Sequence, residues 1–174
     1  MQGVQLSPSA TSQGDWIDGP LMLHRWSRCE QLKVPMTLLT PAARLQQIAA
    51  LIERYPDLTV VIDHMADASL DEPHQIRGLL TMARYPKVYV KISHLWSLSK
   101  HPYPYADAFV LLKMVYDPFG PRRLMWCTDH TVCLPYTSYS QIVALYRDHP
   151  GFMPLAVRRE IWHGTVHQVW PFNL

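Results

Sequence analysis

Two stretches of this chain, 30 residues apart, read almost alike. Arg54-Tyr-Pro-Asp-Leu-Thr-Val-Val-Ile-Asp-His64 lines up with Arg84-Tyr-Pro-Lys-Val-Tyr-Val-Lys-Ile-Ser-His94, and Arg, Tyr, Pro, Val, Ile and His coincide. In both, a helix-like window ends at Tyr-Pro and an apolar, β-branched run follows. A period near 30 holds one strand, one helix and their loops. Repeated units of this kind point to a parallel sheet, because parallel neighbours need a crossover of a dozen or more residues, usually helical.

The alternation extends on both sides. Gly3–Leu6 and Val34–Leu39 are short and β-leaning. Between them the polar segment Ser7–Gly19 reads as a long loop. Pro41 opens a helix whose Leu45, Ile48, Ala49 and Ile52 share one face, and a second helix from Glu72-Pro73 carries Ile76, Leu79, Leu80 and Ala83 at the same spacing. Strand Val88–Ser93 follows. Residues 106–117 read as a helix with Phe109, Leu112 and Tyr116 on one face, stopped by Pro118–Pro121. Arg123–Asp129 is another apolar strand. A helix over 139–147 and a last one from Pro154, interrupted at Gly164, complete the pattern, with Trp170-Pro-Phe packing back. No linker divides residues 1–174, which read as a single domain.

Composition excludes several classes. The 174 residues are 48% hydrophobic and 17% charged, an ordinary globular balance. A net charge of +2, evenly spread, gives no footprint for nucleic acid. No apolar run is long enough to span a membrane. The start lacks the basic and apolar regions of a signal peptide. Three cysteines, Cys29, Cys127 and Cys133, without a CxxC pair, read as free thiols of a reducing, cytoplasmic compartment.

The strand TVVIDH (59–64) ends in a carboxylate and an imidazole, and LMWCTD (124–129) ends in a carboxylate. Near-continuous apolar strands belong to sheets covered on both faces, where chemistry collects at the carboxyl ends. His64 and Asp129 are therefore expected on one rim. Imidazole and carboxylate serve there as Zn²⁺ or Mn²⁺ ligands, or as an acid–base pair. Lys91 and Ser93 lie on one strand face and Ile92 and His94 on the other, so alternation admits either Lys91 or His94 to the site. Trp96, Trp126 and Tyr105 are rim aromatics on a third reading, a small-molecule binding module.

In this order and spacing the segments resemble the amidohydrolase-related metal-dependent hydrolases, a (β/α)8-barrel group that includes lactone hydrolases and some decarboxylases. VVIDHM (60–65) resembles the strand-six motif, YPKVYVKISHLW (85–96) the strand-seven segment, FGPRRLMWCTDH (119–130) the strand-eight segment, IWHGTVHQVWPF (161–172) the closing helix, and Gly3–Leu6 the start of strand four. The resemblance implies a partial TIM barrel, about strands four to eight, lacking the N-terminal strands of a fold of about 250 residues. It implies a hydrolase for a lactone, amide or related carbonyl compound. Asp129 would be base or metal ligand, and His64 a metal ligand or oxyanion donor. Lys91, Ser93, His94 and His130 are candidates for substrate binding, and the metal, Zn²⁺ or Mn²⁺, is absent in some members. The family's His-x-His pair occurs nowhere in this chain, and His94 stands where Ser is normally followed by Gly. An alternative is a truncated, inactive remnant or assembly partner, buried against a second copy or a chain carrying the first strands, because five units cannot close a barrel.

Overall fold

The computed structural model describes residues 3–6, 17 and 19–171, so the expected Ser7–Gly19 loop lies largely outside the described residues. Strands β1 (Val4–Leu6), β2 (Met36–Leu38), β3 (Val60–Ile62), β4 (Val88–Ile92) and β5 (Leu124–Trp126) form one sheet in sequence order. Every neighbour pair is parallel. Helices α1 (Pro20–Gln31), α2 (Leu45–Arg54), α3 (Pro73–Thr81), α4 (Leu95–Leu98), α5 (Ala108–Phe119) and α6 (Tyr139–Asp148) follow the strands, and α7 (Leu155–Arg159) and α8 (Thr165–Val169) end the chain. The expected strands and helices are observed in order, with two additions that were not foreseen, α1 and the short α4. In α1, Pro20 sits at the first helical position, where a missing N–H costs nothing.

Strand alternation sorts the sheet into two faces. Met36, Leu38, Val60, Ile62, Val88, Val90, Ile92 and Leu124 are at most 1% exposed and belong to the main core with α1, α2, α3 and α5. The opposite face carries Val61, Tyr89 and Met125, packed against Val166, Val169 and Trp170. This face is not left open by the short sheet: Val61 and Met125 are fully buried, because the C-terminal helix lies across them. Trp170 reaches the first strand, where Gly3 lacks the Cβ that would sit 2.7 Å from the indole nitrogen.

Three local features differ from the reading above. Helix α5 buries Ala108, Leu111, Leu112, Val115 and Phe119, whereas Phe109 and Tyr116 are only half-buried. The two aromatics lie beside the buried stripe, Phe109 near the His149 ring and Tyr116 edge-on to Phe152. The helix also runs through Pro118 and stops at Gly120, whose φ of +68° favours a residue without Cβ. Gly164 does not interrupt the last helix. Glu160–Gly164 forms a wider π turn between α7 and α8, and the Glu160 carboxylate lies within 2.8 Å of the place a Gly164 Cβ would take. No helix among the described residues is long and apolar enough to cross a membrane.

Candidate metal and acid–base centre

The carboxyl ends of β3, β4 and β5 deliver His64, His94 and Asp129 to one place, and each does so from a left-handed backbone. Their φ angles are +52°, +64° and +53°. For β3 the turn is longer: His64, Met65, Ala66 and Asp67 all have positive φ. Non-glycine residues in this region are unfavourable by roughly 1–2 kcal/mol each. Met65, Ala66 and Ala68 are fully buried, and that packing holds the turn.

The two imidazoles lie face to face, centroids 3.6 Å apart and planes within 4°. His64 Nε2 is 3.8 Å from Asp129 Oδ1, and His94 Nε2 donates a short hydrogen bond to Asp129 Oδ2. Both back nitrogens are held. His64 Nδ1 is 2.6 Å from Ser93 Oγ, and His94 Nδ1 donates to Asp67 Oδ1 at 3.1 Å. Cys127 donates its thiol proton to Ser93 Oγ at 3.0 Å. Beneath this layer, buried Asp63 takes Lys91 Nζ at 2.7 Å and the Gln5 side-chain amide at 3.1 Å.

The environments push the two imidazoles apart. Burial, and then the neighbouring His94, holds His64 below the usual histidine range despite three nearby carboxylates. Burial also works against the charged form of His94, but hydrogen bonds to Asp67 and Asp129 outweigh it and raise that ring. Burial raises the Cys127 thiol, which stays protonated.

The expected meeting of His64 with Asp129 is observed. Of the two alternatives left open, His94 joins His64 and Asp129, while Lys91 is paired with Asp63 beneath them. Lys91 comes up the strand face, while the left-handed His94 has left the strand, so alternation no longer governs its direction. Ser93 is 1% exposed and committed to His64, which places it behind the imidazole. His130 is exposed, with its ring edge-on to Tyr139 instead of joining the cluster. Of the rim aromatics, Trp96 touches His94 at 4.7 Å and stacks on Tyr136 at 4.3 Å. Tyr105 is 5% exposed, and Trp126 packs on Trp162 and Tyr146. Sequence reading missed Asp67 and Tyr136. The signal for Asp67 was present as a polar residue three positions after His64, but its direction depends on the left-handed turn.

The donor set suits a divalent ion. His64, His94 and Asp129 each offer one ligand atom, all within 4.8 Å of one another. Two imidazole nitrogens and a carboxylate match the ligand chemistry of zinc, and the held back nitrogens leave both Nε2 atoms facing Asp129.

Comparison with known proteins matches this arrangement to a family. The family model described as Amidohydrolase matches residues 1–172. An L-fucono-1,5-lactonase of Burkholderia ambifaria is 29% identical over 140 residues, covering 75% of this chain and 46% of the lactonase. A crystal structure of an amidohydrolase from Burkholderia multivorans with bound zinc superposes with a TM-score of 0.88 at 21% identity, over 99% of this chain and 65% of that one. A structure from Pseudomonas putida described as a 2-pyrone-4,6-dicarboxylic acid hydrolase gives 0.82 at 23% identity, over 99% of this chain and 64% of that one. The chain thus spans about half the length of the curated relatives it matches.

Proposed function

This chain belongs to the amidohydrolase family, and from that premise we propose that its site opens a lactone or closely related carbonyl compound by addition of water, with Asp129 as the base. The observation that carries the reading is the convergence of Asp129, His64 and His94 at the ends of three adjacent parallel strands. The five strands correspond in this reading to strands four to eight of a TIM barrel, and active sites of that fold lie at the strand carboxyl ends.

His64 and Asp129 would hold a divalent ion, Zn²⁺ or Mn²⁺, whose chemistry is to polarise a carbonyl and lower the pKa of water. The chain's own residues do the rest. Asp129 accepts a proton at a carboxylate oxygen as water adds to the carbonyl carbon. The tetrahedral adduct then collapses with loss of the ring oxygen, which takes that proton back from Asp129. Water and lactone give one hydroxy acid. Ser93 fixes the orientation of His64, and Asp67 that of His94. Lys91, already paired with Asp63, has further N–H donors for a substrate oxygen. Trp96 and Tyr136 form a stacked wall beside His94, a surface on which a ring-bearing substrate can lie.

A panel of sugar and aromatic lactones, followed by the acid released, tests this. Asp129→Asn should lower turnover by about 10²–10⁴-fold. Wild-type turnover no greater than that of Asp129→Asn on every lactone would overturn the reading.

One observation favours a second reading. Among the described residues β1 and β5 are both sheet edges, each with a row of backbone groups that could pair with further strands. The chain would then be an assembly partner, completed by a second copy or by a chain carrying the first barrel strands, without catalysis of its own. Size-exclusion chromatography with light scattering separates these: a monomer that turns over lactone excludes the partner role.

A further inference from the structure

We infer that His94 completes a metal centre contained within this chain, with His64 Nε2, His94 Nε2 and an Asp129 oxygen as its three protein ligands. The inference deepens the hydrolase reading and rests on it for the ion's role, but the binding itself is measurable without substrate.

Three ligands plus an open position is the usual composition of a catalytic zinc site. The resemblance gave only two candidates here, His64 and Asp129, and the chain has no His-x-His to add more. The structure supplies the third donor from an unexpected position. His94 occupies a place where the resemblance leads one to expect glycine, and its ring lies parallel to that of His64 at 3.6 Å. Face-to-face stacking points both Nε2 atoms at the same carboxylate, His64 toward Oδ1 at 3.8 Å and His94 toward Oδ2.

The surroundings are those of a ligand more than of a packed core histidine. A buried structural imidazole needs one hydrogen-bond partner on each nitrogen and no special backbone. His94 instead has a carboxylate, Asp67, fixed on Nδ1. A carboxylate behind an imidazole sets its tautomer and raises its basicity toward a metal. Asp67 reaches that position only because four consecutive residues adopt positive φ, so the turn's unfavourable backbone serves a contact between two repeats. Ser93 does the corresponding work behind His64. In the ion-free protein the His94 Nε2 proton lies between the ring and Asp129, and an ion seated among the three groups takes its place. The charges suit this: Asp67 and Asp129 contribute two negative charges beside a divalent cation.

Apo protein prepared with a chelator, titrated with Zn²⁺ by calorimetry and with Co²⁺ by visible absorption, tests the inference. Wild type should take up one ion per chain and show the intense visible bands of four-coordinate cobalt. His94→Gln should lose more than the 10–100-fold in affinity typical of removing an outer partner, and Asp67→Asn should fall about within that range. His101→Gln, exposed and outside the site, should bind as wild type does. Unchanged Zn²⁺ affinity in folded His94→Gln overturns the inference. If that variant does not fold, unchanged affinity in Asp67→Asn overturns it equally. Binding that depends on His94 without lactone turnover keeps the centre and sinks the hydrolase reading. Turnover that survives both chelation and His94→Gln does the reverse.

Discussion

The two repeats end in imidazoles that touch, yet they arrive by different routes. After His64 the chain enters a left-handed run, whereas after His94 it enters the short right-handed helix α4. The residue before each histidine also differs. Asp63 turns down to Lys91 and Gln5, while Ser93 turns toward His64 and Cys127. The pairing register adds a third difference. Val60 pairs with Val88, two residues short of its repeat equivalent Val90. An even stagger keeps every side chain on its face while tilting the strands, as a barrel requires. The scaffold is thus repeated and the chemistry is not. His64 is backed by a hydroxyl and held below the usual histidine range, and His94 is backed by a carboxylate and held above it.

The sharpest way to break this comparison is at positions 63 and 93. Asp63→Ala removes the partner of Lys91, which is only 23% exposed in its side chain. Removing one member of a buried pair costs about 3–5 kcal/mol, and the partial exposure of Lys91 places this case near 3. Ser93→Ala removes neutral hydrogen bonds and should cost about 1 kcal/mol. Urea denaturation of both variants checks the gap. Equal losses would mean that the two positions are equivalent after all, and that the polar layer under the site is not held by charge.

The parallel sheet was legible in advance because a repeat of 30 residues leaves little else to build. So was the meeting of His64 and Asp129, since strand ends of one parallel sheet share a rim. The direction of His94 was not legible. A period of two fixes side chains only while φ stays negative and extended, and nothing in ISHLW announces φ of +64°. Asp67 was hidden for the same reason. Helix α1 went unread for another: its buried residues Met22, Trp26 and Cys29 keep helical spacing, but polar His24, Arg25, Ser27 and Arg28 interrupt the apolar pattern. The covered face could not be foreseen from the strands alone, because it depends on Val166, Val169 and Trp170 at the end of the chain.

A milder test lies at the start of each repeat. Tyr55 is 9% exposed and donates its hydroxyl proton to the Leu23 carbonyl of α1 at 3.2 Å. Its equivalent Tyr85 is half-buried, with its hydroxyl on Glu53 at 2.6 Å and the Arg84 guanidinium 4.7 Å over its ring. Tyr55→Phe removes the side-chain hydrogen bond that ties the end of α2 to a carbonyl of α1 and should cost about 1 kcal/mol. Tyr85→Phe should cost clearly less, because water replaces the lost partner. Thermal melts in which Tyr85→Phe is the more damaging would show that the surface network, rather than the α1 contact, anchors the turns.

The smallest effect is expected where the repeats touch through equivalent positions. Asp57 and Lys87 differ by one repeat length and pair at 2.6 Å, with Lys87 Nζ also on the Asp57 carbonyl at 3.1 Å. The lysine lowers the carboxyl pKa, first by its hydrogen bond and then by its charge. That shift favours the folded state only above the carboxylate's unfolded pKa and is lost as pH falls through the folded one. Yet the Asp57 side chain is 80% exposed, so water and salt screen the pair and two mobile side chains must be fixed to form it. Asp57→Asn should therefore leave the melting temperature unmoved at neutral pH and physiological salt, and so should Lys87→Gln. A double-mutant cycle with a coupling that disappears in molar salt would contradict this, and would make the cross-repeat ion pair a contributor to the sheet's edge-to-edge register.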